Sequence, residues 1–135
     1  MGKINEIIIY LMAVANFAKD IHYNCKGDSF YSKHLLADRV EENIYDFIDD
    51  IKEIFFLAAN IDTLPSKEYL NQAAGIIPDI TGDDKEDFKA LGELITKTLK
   101  LIENTDNTTT GESNLLGNIA ENLQKSLGLI TRQIV

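Results

Sequence analysis

Four long segments of the chain repeat their apolar residues with the period of an α-helix. In the first, about residues 3–25, apolar positions recur three and four residues apart, which places their side chains on one face of a helix. That face carries Ile4, Ile7, Ile8, Leu11, Val14, Ala15, Ala18, Ile21, His22 and Cys25. The pattern therefore predicts that His22 faces the core or a partner chain rather than open solvent.

The second periodic segment is predicted to be one unbroken helix over about residues 30–59. Gly27, Asp28 and Ser29 precede it, and they are typical of a helix stop followed by a new N-cap. Its apolar stripe consists of Phe30, Ala37, Val40, Ile44, Phe47, Ile48, Ile51, Ile54, Phe55 and Ala58. The short turn between the two segments predicts that they pack as an antiparallel pair.

A connection of about 23 residues, 60–82, separates this pair from the second half of the chain. Connections of that length usually carry structure of their own, and residues 66–74 are predicted to form a short helix with Ser66 as its cap. A third helix is predicted from Asp83 or Asp84 to about Ile102, and a fourth over about residues 112–133, after a polar loop at 104–111.

No strand pattern competes with these four helices, and no linker divides residues 1–135 into two domains. Two helical hairpins joined by one long crossover define the ferritin-like form of the four-helix bundle. The predicted fold class is therefore all-α, a single ferritin-like domain in which the crossover carries a short helix.

Charge and composition narrow the possible functions. The chain has 135 residues, of which 44% are hydrophobic and 26% charged, and its formal net charge is −9 from 13 basic and 22 acidic side chains. Such a charge argues against a protein that coats nucleic acid and suits one that attracts cations. The longest apolar run, residues 7–15, is much shorter than the ~20 residues that span a bilayer, so no membrane segment is expected.

Cys25 is the only cysteine, which excludes a disulfide within the chain and fits a reducing, cytoplasmic location. Glu6 and the single Lys3 make a poor secretory leader. Cys25 could be a soft ligand or a redox thiol, but its helical spacing favours a small buried apolar residue.

Four residues carry candidate metal chemistry. His22 and His34 are the only histidines of the chain, and Asp49 and Glu53 lie four residues apart, so that on a helix their carboxylates share one face. Each residue alone has an ordinary explanation, a hydrogen-bonded histidine or a solvated carboxylate. The combination favours a metal site, since imidazole and carboxylate are common metal ligands.

The spacing forces a choice about where such a site is completed. Asp49 follows His34 by fifteen residues in the predicted helix, which amounts to roughly 22 Å along the axis, far beyond the reach of one ion. Either the histidines and the carboxylates serve separate purposes, or a second copy of the chain completes the site. We favour the second alternative, because a two-fold axis between antiparallel helices would generate two identical shared sites.

The segment from His22 to Glu53 resembles the iron site of the Dps miniferritins, the proteins of DNA protection during starvation. That family's pattern is a histidine, a Gly-x-x-Phe turn, a second histidine twelve residues after the first, an aspartate fifteen further on and a glutamate four after that. This chain has His22, residues 27–30, His34, Asp49 and Glu53 at those spacings.

The resemblance implies a ferroxidase centre built by the histidines of one subunit and the carboxylates of its two-fold mate. It implies oxidation of Fe(II), by hydrogen peroxide or oxygen, with storage of the ferric iron inside a homo-oligomeric shell of twelve cytoplasmic subunits and protection against oxidative damage. Asp38, four residues after His34, could support the site as an additional or neighbouring ligand.

The chain also departs from the family pattern. Tyr23 stands where a tryptophan is usual, Leu35 where glutamate is frequent, and Gly128 where the last helix often has tryptophan. The lysine-rich tail through which some members hold DNA is absent, so strong DNA binding is not expected. The alternative function is a non-catalytic helical scaffold or interaction protein that has lost iron turnover.

Overall fold

The computed structural model describes residues 1–134, in which all regular secondary structure is helical and no strand occurs. The α-helices are α1 (Gly2–Asn24), α2 (Phe30–Glu41), α3 (Ile44–Ile51), α4 (Ser66–Ala74), α5 (Asp84–Glu103) and α6 (Thr110–Ile134), and a π-helix, π1, spans Lys52–Leu57. The all-α fold class is confirmed, and the arrangement is compatible with a helical bundle. None of these helices is long and apolar enough to cross a membrane.

Helix α1 lies at the centre of the bundle, against α2, α3, α4 and α5, while α5 also packs along α6. Lys3 Nζ donates a hydrogen bond to the backbone oxygen of Asn104 over 3.0 Å. This bond joins the start of α1 to the end of α5, so the two helices run in opposite directions. The other ends of α1 and α5 also meet, because Lys26 N in the turn after α1 donates to Asp84 Oδ2 over 3.2 Å. Lys33 of α2 forms an ion pair with the same carboxylate.

The central position of α1 explains why its predicted stripe is buried. Nine of the ten predicted stripe residues are buried, and the tenth, His22, is half-buried. Helix α1 also buries residues outside that stripe, including Met12, Ala13 and Phe17, because neighbours cover it on several sides. Its pattern is therefore more apolar than a simple amphipathic helix requires.

The predicted unbroken helix over 30–59 is wrong. Helix α2 ends at Glu41, and Asn43 has φ −107° and ψ 3°, outside the helical region, before α3 begins at Ile44. Asparagine is a weak helix former because its side chain competes for backbone hydrogen bonds, which fits a break at this position. The chain becomes helical again at Ile44, so only two residues separate α2 from α3.

The predicted stripe fails at its first residue, Phe30, which is 43% exposed, and again beyond Ile51 at Ile54 and Ala58, where the helix changes type. Ala58 N donates to Glu53 O over 2.8 Å, a bond that spans five residues instead of four. A π-turn holds more residues than an α-turn, so the face that points to the core shifts along the sequence. Phe55 and Phe56 are both buried, whereas Ile54 is 39% exposed and Ala58 is exposed.

Two predicted caps differ in detail. Ser29 occupies the N-cap position of α2 but has a left-handed backbone (φ 60°) and makes no side-chain cap bond. Ser66 is the first residue of α4, and Pro65 takes the N-cap position before it. By contrast Asp83 caps α5 as the acidic first turn predicts, since its Oδ1 accepts from the backbone nitrogens of Lys85 and Glu86.

Candidate metal centre

The two histidines come together across the α1–α2 hairpin. His22 lies in the last turn of α1 and His34 in the second turn of α2, and their rings stack with centroids 3.7 Å apart and planes inclined by 20°. His22 Nδ1 lies 2.9 Å from the backbone oxygen of His34, and His34 Nδ1 lies 2.9 Å from the backbone oxygen of His22. Each ring is therefore held by the main chain of the other residue.

These reciprocal bonds assign the tautomer of both rings. A carbonyl oxygen can only accept, so each Nδ1 must carry the proton that it donates. The neutral ring then has its lone pair on Nε2, which is the atom left to bind a metal ion. Histidines that ligate metals usually donate their other ring N–H to a carbonyl or carboxylate in this way, and that bond fixes the orientation of the ring.

Aromatic side chains border the histidine pair but remain open to solvent in a single chain. The Tyr23 ring meets His22 edge-on with centroids 4.9 Å apart, and the Phe30 ring lies 5.3 Å from that of His34. Tyr23 is 73% exposed and Phe30 43%. The pair thus lies at the edge of an apolar surface that nothing in the same chain covers.

Further large apolar side chains are exposed along the second helical segment, which consists of α2, α3 and π1. Its large apolar side chains that are exposed are Tyr31, Leu35, Tyr45, Ile54 and Leu57. Large exposed apolar patches on soluble proteins often mark contact sites for another molecule. We call this set, together with Tyr23 and Phe30, the exposed apolar strip.

The candidate carboxylates lie along the same segment. Asp38 is exposed on α2, Asp49 is exposed in the second half of α3, and Glu53 is exposed at the start of π1. None of the three forms an ion pair with any cation among residues 1–134. Asp49 and Glu53 therefore offer two oxygen donors, four residues apart, to a cation that approaches from outside the chain.

One chain does not gather the predicted ligands at a single point. Within residues 1–134, no group of three or more His, Cys, Asp or Glu side chains is close enough to hold one metal ion. The structure brings His22 and His34 together and places Asp38, Asp49 and Glu53 farther along the second helical segment. Both explanations of the spacing, separate purposes and a site shared by two copies, remain compatible with this placement.

Cys25 is buried, as its helical spacing predicts, with 5% of its surface exposed. Burial raises the pKa of the Cys25 thiol, and the negative charge of Asp84 adds to that rise. A raised pKa keeps the thiol neutral and poorly nucleophilic. Cys25 is therefore a packing residue beneath the histidine pair, and the structure gives it no ligand geometry.

The sequence pattern missed the groups that orient the histidines. The backbone oxygens of His22 and His34 are present in any sequence, so no residue type signals their role. A second unpredicted contact joins the hairpin farther along, where Asn16 Nδ2 donates to Met12 O over 2.8 Å and to Tyr45 Oη over 3.0 Å. Asn16 interrupts the apolar pattern of α1, and this interruption is the only feature of the sequence that could have indicated the contact with Tyr45.

No protein-family model matches the chain, and no curated protein matches it.

Proposed function

We propose that the protein is a ferroxidase of the miniferritin kind, which oxidises Fe(II) with hydrogen peroxide or oxygen at sites shared by two copies of the chain. In each site the nitrogen donors are His22 and His34 of one copy, and the oxygen donors are Asp49 and Glu53 of the other. Asp38 is a further carboxylate beside this site. The shared site is the smallest assembly that brings both sets of donors to one ion.

The histidine pair is the observation that carries the proposal. Two reciprocal hydrogen bonds of 2.9 Å join each Nδ1 to a backbone oxygen. Both Nε2 atoms, on rings that stack against each other, are left as donors to a metal ion. The same bonds join α1 to α2, so one orientation of the rings serves the hairpin and also presents both Nε2 atoms to an ion. A pre-oriented pair costs less conformational entropy when it binds an ion.

The exposed apolar strip supports the sharing. Leu35 follows His34 directly, Tyr45 precedes Asp49 by four residues, and Leu57 follows Glu53 by four residues, so exposed apolar residues alternate with the candidate ligands along one segment. A second copy that packs antiparallel on this strip would bury it. The same two-fold contact would carry the carboxylate end of each copy toward the histidine end of the other.

The chemistry follows from the donors. Two Fe(II) ions each lose one electron, the O–O bond of hydrogen peroxide breaks, and its oxygens take up two protons and leave as water. Neutral imidazoles suit Fe(II), whereas carboxylates favour the higher charge of Fe(III), so the mixed set stabilises the product of oxidation. Apolar side chains around the site exclude bulk water and limit the escape of radicals.

The net charge of −9 fits the substrate. An acidic surface raises the local concentration of cations such as Fe(II) and repels nucleic acid. The resemblance to the miniferritins extends this proposal to storage of iron inside an assembled shell of twelve subunits.

Fe(II) oxidation on addition of hydrogen peroxide tests the proposal. The parent should oxidise Fe(II) much faster than buffer, and a His34→Ala, Asp49→Ala variant should fall to the buffer rate with its helical content intact. Asp50→Ala is the matched control, because Asp50 is an exposed carboxylate next to Asp49 that the proposed site does not use. Equal rates in the parent and the double variant would favour the scaffold alternative.

A further inference from the structure

The carboxylate of Asp84, the first residue of α5, binds the turn that joins the two histidine-bearing helices. Its Oδ2 accepts from Lys26 N over 3.2 Å and also forms the ion pair with Lys33. Lys33 Nζ donates in addition to Lys26 O over 3.0 Å. These contacts join one residue of the turn, one of α2 and one of α5. We call Lys26, Lys33 and Asp84 the hairpin clamp.

The hairpin clamp lies between the two histidines along the chain. Lys26 follows His22 by four residues, and Lys33 directly precedes His34. Each histidine ring reaches the backbone oxygen of the other residue over 2.9 Å, and a separation of about 3.6 Å is no longer a hydrogen bond. A displacement of α2 along α1 by about 1 Å would therefore break both bonds. The register of the two helices decides whether the rings keep their orientation.

The turn does not hold that register by itself. Gly27 has φ 79° and Ser29 has φ 60°, and a left-handed backbone is unfavourable for serine unless the surrounding structure holds it. Asp28 and Ser29 are exposed, and a cavity of about 230 Å³ lies beside the turn, with Ser29 and Phe88 in its wall. Because apolar packing leaves this space open, the polar contacts of Asp84 hold the turn in place.

The ion pair of the hairpin clamp is largely removed from water. Only 13% of the Lys33 side chain and 15% of the Asp84 side chain are exposed. Exposed ion pairs contribute little to structure, whereas loss of one partner from a buried pair leaves an uncompensated charge and disturbs its surroundings. Asp84 also stands in the first turn of α5, where the helix dipole favours a negative charge.

We propose that Asp84 is a positioning residue for the histidine pair. By holding Lys26 and Lys33 at one point, it sets the register in which each Nδ1 donates to the opposite backbone oxygen. Its contacts are to the two lysines, so it acts on the rings through the backbone of the hairpin. The consequence for iron rests on the proposed function, in which the Nε2 atoms bind metal, whereas the orientation of the rings in the metal-free chain does not.

Nitrogen-15 NMR of the metal-free protein tests the proposal, because it reports which ring nitrogen carries the proton. In alkaline buffer, where imidazole is neutral, both Nδ1 atoms of the parent should be protonated and both Nε2 atoms should not. Asp84→Ala removes the acceptor of both lysines, so both rings should become mixtures of the two tautomers. Lys33→Met should shift the signals in the same direction by less, because the Lys26 bond remains, and Lys33→Arg should keep the parental signals.

Glu86→Ala is the matched control for charge. Glu86 is an exposed carboxylate in the first turn of α5 and lies outside the hairpin clamp, so its removal changes the net charge and the helix terminus in the same way. Thr109→Ala is the control for stability, since it removes an acceptor at the start of α6. Both controls should keep the parental ring signals, and circular dichroism verifies the helical content of every variant.

Parental ring signals in a folded Asp84→Ala or Lys33→Met variant would overturn the proposal. An equal change in Glu86→Ala or Thr109→Ala would overturn it as well, because a general loss of stability would then explain the effect. If Asp84→Ala fails to fold, the comparison of Lys33→Met with Lys33→Arg decides the question.

Iron kinetics separate this inference from the proposed function. If the Nε2 atoms bind iron, Asp84→Ala should raise the KM for Fe(II) about 10-fold, the size typical for loss of a group that orients a metal ligand, with a smaller change in kcat. If the parent oxidises no iron while Asp84→Ala still loses the parental tautomer, the positioning role stands and the ferroxidase proposal fails. If the parent is active and Asp84→Ala keeps the parental signals and rate, the positioning role fails and the ferroxidase proposal stands.

Discussion

Replacement of Leu57 by alanine should weaken the two-fold dimer without weakening the subunit. Leu57 is 75% exposed in one chain and follows Glu53 by four residues, so a mate that covers Glu53 should also bury Leu57. Burying a whole leucine contributes about 1.5–3 kcal/mol, so loss of most of this exposed side chain should cost about 1 kcal/mol per copy. A two-fold contact counts the loss twice, which gives about 2 kcal/mol and a dissociation constant about 30-fold higher.

The assay is the specific rate of Fe(II) oxidation as a function of protein concentration, with sedimentation velocity on the same samples. Because a shared site as proposed needs two copies, the variant should lose specific activity at a concentration about 30-fold higher than the parent does. Leu70→Ala is the control, because it truncates another exposed leucine, in α4, that belongs to no proposed contact. The free energy of unfolding of the subunit should stay within about 0.5 kcal/mol, as for other exposed positions. Equal dissociation of the Leu57 variant and the parent would refute the shared contact along this strip.

Two further predictions concern the stability of the subunit. Thr109 Oγ1 accepts from Glu112 N over 3.1 Å while Glu112 Oε1 accepts from Thr109 N over 2.8 Å, so Thr109→Ala should lower the free energy of unfolding by about 1 kcal/mol in denaturant titrations. Thr110→Ala is its control, and equal losses in the two variants would contradict the capping role. Burial raises the pKa of the Cys25 thiol, so the folded chain keeps the proton at pH values where the unfolded chain releases it, and stability should fall as pH rises through the ordinary thiol range and beyond. Comparison with Cys25→Ala isolates this dependence, and identical alkaline slopes would contradict it.

The sequence pattern predicted the helices that the core encloses and failed where the backbone departs from ideal geometry. The stripe of α1, except for the half-buried His22, is buried as expected, because its period matches an uninterrupted α-helix. The break at Asn43 and the π-helix at 52–57 escaped prediction, since neither changes the apolar spacing enough to be recognised. The exposure of Ile54 follows from that change of helix type.

The candidate site was predictable in its residues but not in its arrangement. The spacing identified His22 and His34 as a pair, yet only the folded hairpin gives the reciprocal bonds to each other's backbone oxygens. Those bonds depend on how α1 and α2 cross, which is a property of packing. Asp49 and Glu53 were predicted on one face, and in the proposed shared site they would meet the histidines only through a second copy of the chain.

Complementation between two inactive variants tests the shared site most directly. One variant carries His22→Ala and His34→Ala, and the other carries Asp49→Ala and Glu53→Ala, so each lacks one half of every site. In a mixed dimer one site combines the intact histidines of one copy with the intact carboxylates of the other, and random pairing should restore about a quarter of the parental sites. The account predicts that co-refolded mixtures recover Fe(II) oxidation to about that fraction, while each variant alone stays at the buffer rate. A mixture that forms dimers but stays at the buffer rate, beside an active parent, would contradict it.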